Sequence, residues 1–340
     1  MKGSLGLSRK AAVSAGMAGA ALVLMAGGAA FTARAAQGND GIEVLKLRPD
    51  FYVIAGAGGN IAVQIGPDGV LLVDAGRAEV SDQVVAAIKK LTDEPIRFIL
   101  DTNADADHVG GNAKVAKAGQ SIFPNTQGGN GFASAMTNGG AASILAPEKV
   151  LLRMSAPTGA VAAYPAEAWP TEAFYTPRKS IYFNREGIEI ALQPAAHTDA
   201  DSFVFFRRSD VVAAGDILDT TRYPVIDVAK GGSIKGEIEA LNRLIEMAIP
   251  PGPFIYQEGG TEVMPGHGRI CSQFDVVEYR DMVVIIRDVI QDMIKRGMTL
   301  DQIKAANPTK PYDKEYGADS GDWTTNAFVE AVYKSLTGKK

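Results

Sequence analysis

The sequence contains a single cysteine, Cys271, so no disulfide can form within the chain and cysteine usage gives no indication of a compartment. It also lacks a cluster of basic residues, and its formal net charge is -5. A mildly acidic chain without such a cluster is not expected to bind nucleic acid. With 46% hydrophobic and 21% charged residues, the composition is that of a globular protein.

Beyond residue 35 the sequence lacks any stretch that approaches the roughly 20 apolar residues of a membrane helix. The first 35 residues differ from the rest. Lys2, Arg9 and Lys10 precede an apolar run from Ala11 to Phe31, and the small-residue site Ala33-Arg34-Ala35 follows it. This order predicts a signal peptide over residues 1–35 and a periplasmic or secreted protein without stable membrane insertion after cleavage. A permanent membrane anchor is the alternative, but glycine and alanine dilute the apolar run.

The remainder, residues 40–340, alternates between strand-like and helical patterns and shows no linker that divides it. Strands such as Val70–Val73 and Ile96–Leu100 are followed by helical spacing in the first half. The second half adds further strands and two long amphipathic helices, over Ile234–Met247 and Phe274–Arg296. Residues 125–176, rich in Gly, Ala and Pro, are predicted to form a surface excursion near a site, or a partly mobile segment, with one helix-like stretch. The alternation predicts a single α+β domain of two β-sheets covered by helices.

The chain has only three histidines: His108, His197 and His267. Each follows a strand-like run and stands beside Gly, Thr or Asp. A lone histidine in such a place is more often a surface or core residue than a ligand. Because all three share this setting, and because histidine is the commonest transition-metal ligand, the pattern favours a metal site.

Four polar motifs contain these histidines and the nearby acids. The first carries three acids and a histidine within eight residues. Its three carboxylates would repel one another without a positive partner, although a solvated acidic loop is the alternative. In chain order the motifs are Asp101–Asn112, Ala196–Ser202, Asp216 after the strand Val211–Ala214, and Pro265–Gly268. Each motif alone is weak, whereas their order, with a helix between the third and the fourth, is specific.

In this order the motifs resemble the metallo-β-lactamase superfamily, whose marks are an H-x-H-x-D-H loop followed by a His, an Asp and a late His. Gly69–Gly76 and Met264–Gly268 add to the similarity, which covers roughly Tyr52 to Arg296. The resemblance implies a four-layer αββα sandwich of two mixed β-sheets flanked by helices. It also implies metals at the edge between the two sheets.

The resemblance implies a first metal position formed by Asp107, His108 and His267 with a bridging Asp216. A second position would use His197 and Asp216 as well. One or two Zn²⁺ ions are therefore expected as the cofactor.

The second position departs from the family pattern, because Asn103 and Asp105 stand where the loop has its first two histidines. Asp105 can replace one imidazole as an oxygen ligand, whereas Asn103 is neutral and a poor ligand. A site richer in oxygen should bind zinc less tightly, so Mn or Fe, or an empty position, is predicted there.

The resemblance also implies a hydrolase in which a metal-activated water cleaves an ester, thioester, lactone or amide bond of a small molecule. Asp107 would then orient the water or take its proton, as the catalytic residue. Asp74 is predicted to orient a ligand, with a turn role as the alternative. Tyr223 and Lys230 are candidates to contact substrate, or else belong to a loop and a helix cap.

Two other functions stay open at this point. One is a protein that binds a metal or small ligand on the same fold without turnover. The other is an iron-dependent enzyme similar to the sulfur dioxygenases of the superfamily.

Overall fold

A computed structural model describes residues 41–122, 140–158, 161–252 and 259–338. The predicted signal peptide lies outside these residues. Within the described part of the chain, no helix has the length and apolar character needed to cross a membrane.

Two β-sheets form the centre of the fold. The seven-stranded sheet has the order β1-β2-β3-β4-β5-β6-β9, and the five-stranded sheet has the order β10-β11-β12-β13-β14. The strands of the first sheet are β1 Glu43–Arg48, β2 Phe51–Ala55, β3 Ile61–Gly66, β4 Gly69–Val73, β5 Ile96–Leu100, β6 Ser143–Pro147 and β9 Glu172–Phe174. Those of the second are β10 Arg178–Phe183, β11 Glu186–Gln193, β12 Asp201–Phe206, β13 Val211–Asp219 and β14 Glu262–His267. The short strands β7 Pro157–Thr158 and β8 Val161–Ala162 form a separate pair.

Both sheets are mixed. In the first, β1 to β4 pair antiparallel and β4, β5, β6 and β9 pair parallel. In the second, only β13 and β14 are parallel. Because parallel strands end at the same edge, the residues that follow β4 and β5 lie together, as do those at the ends of β13 and β14.

Helices cover the outer face of each sheet. The described α-helices are α1 Ser81–Leu91, α2 Ala106–Val109, α3 Asn112–Lys117, α4 Glu148–Ser155, α5 Ile234–Met247, α6 Gln273–Lys295, α7 Leu300–Ala306, α8 Asp313–Tyr316 and α9 Thr325–Thr337. Helices α1 and α3 pack on the first sheet, and α5, α6 and α9 pack on the second.

Strand β4 shows why the sequence takes this layered form. Its residues are all buried, and they alternate between two cores. Leu71 and Val73 enter the core between the sheets, whereas Val70 and Leu72 enter the core beneath α1. A strand covered on both faces has to be apolar at every position, as this one is.

Aromatic side chains join the two sheets across the central core. Phe51 meets Phe206 edge to face at 4.8 Å, and Phe98 meets Phe183 in the same way at 5.3 Å. Such pairs stabilise the contact by about 0.5–1.5 kcal/mol beyond the burial of their area. The predicted four-layer αββα sandwich is confirmed.

Two details of the predicted elements were wrong. Asp216 lies inside β13, which continues to Asp219, and not after the strand end at Ala214. The pairing of β13 with β14 shifts register around Gly215. The φ of 55° that glycine adopts there accommodates this irregularity, so the strand continues past it. The segment predicted as a surface excursion contributes β6 and β9 to the first sheet. Its residues 123–139 lie outside the described part of the chain.

Glu237 is a buried acid on the core face of α5, between apolar neighbours. Among the described residues neither of its carboxyl oxygens has a hydrogen-bond partner. Burial, together with the negative charge of Asp201, raises the pKa of Glu237 well above its usual value of 4.5. Burial therefore favours the neutral form of Glu237, since an unpaired buried charge is costly.

This burial predicts a pH dependence of stability. A raised folded-state pKa stabilises the fold fully below about pH 4.5, and this contribution is lost as pH rises toward the folded value. Replacing the acid with a neutral isostere, Glu237→Gln, should therefore gain stability relative to the unchanged chain by about 1.4 kcal/mol per pH unit over that range. Urea unfolding between pH 4 and pH 8 measures the difference. The exposed Glu239→Gln on the same helix is the control, and an equal slope in both variants would contradict the assignment.

Candidate metal centre

Six side chains predicted as metal ligands converge at one edge of the sandwich, in two groups. The first group is Asp107, His108 and His267, and the second is Asp105, His197 and Asp216. Within each group the ligand atoms all lie within 4.8 Å of one another. Residues far apart in the sequence meet here because the loops after β4, β5 and β11 and the ends of β13 and β14 share this edge.

His108 is held by Asp74, the residue directly after β4. Its Nδ1 lies 2.8 Å from Asp74 Oδ2 inside the protein. The Asp74 carboxylate also accepts hydrogen bonds from the backbone N–H and the hydroxyl of Thr102, both at 2.8 Å. A carboxylate that only accepts keeps a proton of His108 on Nδ1, so Nε2 is the ring nitrogen that faces the centre.

His108 Nε2 faces the carboxylate of Asp216. His108 Nε2 lies 3.0 Å from Asp216 Oδ1, and His267 Nε2 lies 3.3 Å from the same oxygen. His267 Nε2 is also 3.2 Å from Asp107 Oδ2. Two imidazole nitrogens and two carboxylates thus share one small volume.

His197 is oriented in the same manner as His108. Its Nδ1 lies 3.1 Å from Asp201 Oδ1, and the Asp201 carboxylate accepts further hydrogen bonds from the backbone and hydroxyl of Thr198. His197 Nε2 then faces Asp105 Oδ2 at 3.4 Å. The spacing of four residues between His197 and Asp201 is the signal in the sequence for this partner role.

The electrostatics of the centre follow from this crowding. Burial lowers the pKa of His267, but the hydrogen bonds to Asp107 and Asp216 outweigh it and raise the pKa to about 9. For His197, burial is again outweighed by Asp201, and its pKa also rises to about 9. The hydrogen bond from His267 lowers the pKa of Asp107 to about 2. Burial opposes the ionisation of Asp216, but His108 and His267 hold its pKa well below the usual range.

These residues fit a metal ion. The carboxylates and the imidazole Nε2 atoms face one volume, and a metal ion that binds there displaces the protons from Nε2 and balances the carboxylate charges in their place. Histidines that donate through the other ring nitrogen to a buried carboxylate are the usual arrangement around a protein-bound metal. Nitrogen and oxygen donors in this mixture suit zinc, manganese or iron, and the donor set does not select one of them.

Glycine is required close to this centre. A Cβ atom at Gly59 would lie 2.7 Å from Cε1 of His108, closer than such atoms approach one another. The backbone N–H of Gly59 donates to the carbonyl of Asp107 at 2.9 Å. The neighbouring Asn60 donates through its side chain to the carbonyls of Pro265 and Gly268. The Gly-rich turn before β3 therefore supports both the first and the last metal motif, a role that its sequence did not reveal.

Of the other predicted site residues, Lys230 lies at the centre and Tyr223 does not. Lys230 Nζ is 3.3 Å from Asp105 Oδ1. Tyr223 is 1% exposed, stacks on Phe328 at 4.8 Å, and donates its hydroxyl to Thr309 and Asp313. The prediction of a substrate contact by Tyr223 is wrong, because its ring fills the core beneath α9.

Two residues near the centre had no signal in the sequence. Tyr164 donates its hydroxyl to the carbonyl of Ala104 at 2.9 Å and so supports the loop that carries Asp105. Arg222 donates through Nε to the buried carboxylate of Asp219 at 2.6 Å. Its two terminal nitrogens have no hydrogen-bond partner among the described residues.

Comparisons with known proteins agree with this fold. The metallo-beta-lactamase superfamily model matches residues 55–256. None of the curated proteins matches the chain. The solved stereoselective inverting sec-alkylsulfatase Pisa1 from Pseudomonas sp. has a TM-score of 0.58 at 15% identity, over 86% of this chain and 50% of that chain. A double mutant of that sulfatase gives the same TM-score at 14% identity and the same coverage. The chain thus spans about half the length of these sulfatase structures.

A third solved structure covers less of this chain but is itself matched almost completely. It is the metallo-beta-lactamase from Pontibacter korlensis, with a TM-score of 0.52 at 16% identity, over 71% of this chain and 98% of that chain. At such identities the likeness to the solved structures is one of fold.

The contact at Gly59 gives a test of the assembled centre. Gly59→Ala should displace the His108 ring and weaken metal binding by about 10-fold or more, the scale on which loss of an orienting partner changes metal affinity. Zinc titration against a chromogenic chelator measures this. The control is Gly187→Ala, where a Cβ would meet only Arg207 Cδ at 3.7 Å. Equal zinc affinity in the two variants would contradict the role given to Gly59.

Proposed function

The chain belongs to the metallo-β-lactamase superfamily, and from this premise we propose that it is a metal-dependent hydrolase. The proposed reaction is cleavage of an ester, thioester, lactone or amide bond in a small molecule. The observation that carries the proposal is the convergence of His108 Nε2 and His267 Nε2 on one carboxylate oxygen of Asp216, at 3.0 and 3.3 Å. We also propose, from the N-terminal sequence, that the protein acts in the periplasm or outside the cell.

The residues that would hold the metal are Asp107, His108, His267 and Asp216 at the first position. His197, Asp105 and Asp216 are the donors at the second. A bound metal ion lowers the pKa of a coordinated water toward ~7 and polarises a substrate carbonyl.

The protein's own groups prepare the rest of the reaction. Asp107 is suited to orient the attacking water or to receive its proton, because its carboxylate lies at the centre, with Oδ2 3.2 Å from His267 Nε2. Its side chain is 24% exposed, so a water and a substrate can reach it. Asp74 and Asp201 hold the rings of His108 and His197 in one tautomer and one orientation.

Arg222 favours a substrate with an anionic group. Its guanidinium is fixed at Nε by Asp219, and its side chain is 34% exposed. Burial lowers the pKa of Arg222, but the charge of Asp219 and the hydrogen bond to it raise the pKa. The charges of Asp216 and Asp107 add to this rise. A guanidinium fixed at one edge can donate two parallel hydrogen bonds to a carboxylate or a similar anion.

Loss of a central ligand tests the proposal directly. In His267→Ala, bound metal and hydrolysis should fall together. Loss of an orienting partner costs up to about 100-fold, and loss of a ligand should cost more than that. Metal content is measured by mass spectrometry, and kcat/KM is measured on a panel of esters, thioesters, lactones and a chromogenic β-lactam with Zn, Mn and Fe. The control is Lys89→Ala on the exposed face of α1.

The outcomes of this panel separate the alternatives. A wild-type protein that retains metal and hydrolyses nothing on the panel contradicts the hydrolase and supports a binding protein. Bound iron with oxygen uptake on a persulfide would support a dioxygenase instead.

A second experiment concerns the anionic group. Arg222→Leu should raise KM for a carboxylate-bearing ester by about 10-fold or more, the scale of a hydrogen bond to a charged group, and leave the KM of its neutral methyl ester unchanged. Arg222→Lys should retain part of the preference, since it keeps the charge but not the fork. An equal change on both substrates would mean that Arg222 acts only on the local structure.

A further inference from the structure

The second metal position differs from the first in what its oxygens already contact. At the first position, Asp107 Oδ2 and Asp216 Oδ1 face imidazole nitrogens of His108 and His267. At the second, two of the oxygens that a metal would need already accept hydrogen bonds from N–H groups of the chain. These groups belong to Asn103 and Lys230.

Asn103 presents a donor where the family pattern has an imidazole. Its side-chain Oδ1 accepts the backbone N–H of Asp105 at 2.8 Å, which fixes the orientation of the amide. Its Nδ2 therefore faces Asp216 and donates to Oδ2 at 3.0 Å. Asn103 is 1% exposed, so its amide is shielded from bulk solvent. The oxygen of Asp216 that points away from the first position is thus satisfied without a metal.

Lys230 satisfies an oxygen of Asp105 in the same way, without a metal. Its Nζ lies 3.3 Å from Asp105 Oδ1 and 3.1 Å from Asp227 Oδ2. The remaining oxygen of Asp105 faces His197 Nε2 at 3.4 Å. A divalent ion bound to Asp105 and His197 would therefore stand close to an ammonium of the same sign, which weakens its binding.

The position of Lys230 is fixed by the backbone around it. The residue ends a short 3-10 helix, Val228–Lys230, and its N–H donates to the side chain of Asp227 at 3.0 Å. Asp227 in turn donates its own N–H to the carbonyl of His197 at 2.9 Å. The segment that carries Lys230 is therefore tied through its backbone to the loop that carries the histidine.

We propose that the chain binds one metal ion, at Asp107, His108, His267 and Asp216, and that the Lys230 ammonium occupies the place of a second cation beside Asp105. This inference rests on the proposed metal-dependent function, since it concerns how many ions the same centre holds. His197 then serves with Asp105 and Lys230 as a polar wall of the site. Metal stoichiometry, which does not depend on knowing the substrate, is the readout.

The experiment counts ions in the whole protein after incubation with excess Zn²⁺ and removal of unbound metal. Wild type should retain one ion per chain. Lys230→Met, which keeps the length of the side chain and removes its charge, should strengthen the second zinc-binding event by about 10-fold or more. The control Lys235→Met removes an exposed lysine that pairs with Glu239 on α5 and should leave zinc binding unchanged.

A combined variant supports the interpretation if the single change is too weak. Asn103→His with Lys230→Met supplies the missing imidazole and removes the ammonium, so it should retain two ions per chain. Thermal unfolding of each zinc-free variant shows whether the substitution has altered the fold itself.

Each outcome is decisive. Two ions of similar affinity in wild type would overturn the inference and leave the proposed hydrolase intact. One ion in wild type and in both the single and the combined variants would also overturn it, because neither Lys230 nor Asn103 would then limit the second position. No ion in wild type would contradict the metal-dependent function, and this inference with it.

Discussion

The carboxylate of Asp216 is the contact on which the centre depends, because it joins side chains from both halves of the sandwich. Its Oδ1 faces the imidazoles of His108 and His267, and its Oδ2 accepts from Asn103. His108 and Asn103 belong to the segment that follows β5 of the first sheet, whereas Asp216 and His267 lie in strands of the second sheet. The aromatic core between the sheets fixes how far apart these groups stand.

A set of fixed outer contacts keeps this crowded arrangement in place. Asp74 adopts φ of 65°, an uncommon conformation for a residue with a side chain, and uses it to reach both His108 and Thr102. The backbone N–H groups of Ala75 and Gly76 donate to the carbonyl of His108. Strain and hydrogen bonding are therefore concentrated at one edge, where the sheets supply a rigid support.

Much of this could be predicted from the sequence. Continuous apolar strands such as Val70–Val73 indicated burial on both faces, and the three histidines each stood in a short polar motif at a strand end. Because the fold brings those ends to one edge, the predicted ligands lie together without any long-range information. The extension of β13 through Asp216 was missed, since Gly215 reads as a strand terminator and only the parallel pairing with β14 carries the strand past it.

Other features could not be predicted from local patterns. Tyr223 follows the third motif closely, but its ring is directed into the core by packing against Phe328, which is 105 residues away. Arg222, its immediate neighbour, is held instead by a hydrogen bond to the buried carboxylate of Asp219. Strands β6 and β9 are short and lie in a Gly- and Ala-rich segment, so their place in the sheet depends on partners and not on their own composition.

The contribution of ligands by both sheets has a thermodynamic consequence. An unfolded chain, or one whose sheets have separated, cannot offer Asp107, His108, Asp216 and His267 to the same ion. Any ion held there binds the native state alone, so the folding equilibrium shifts with the concentration of free metal according to mass action. Chelation would then lower the melting temperature even in solutions that contain no substrate. Whether the chain folds before or after it acquires its ion would depend on the concentration of free metal around it.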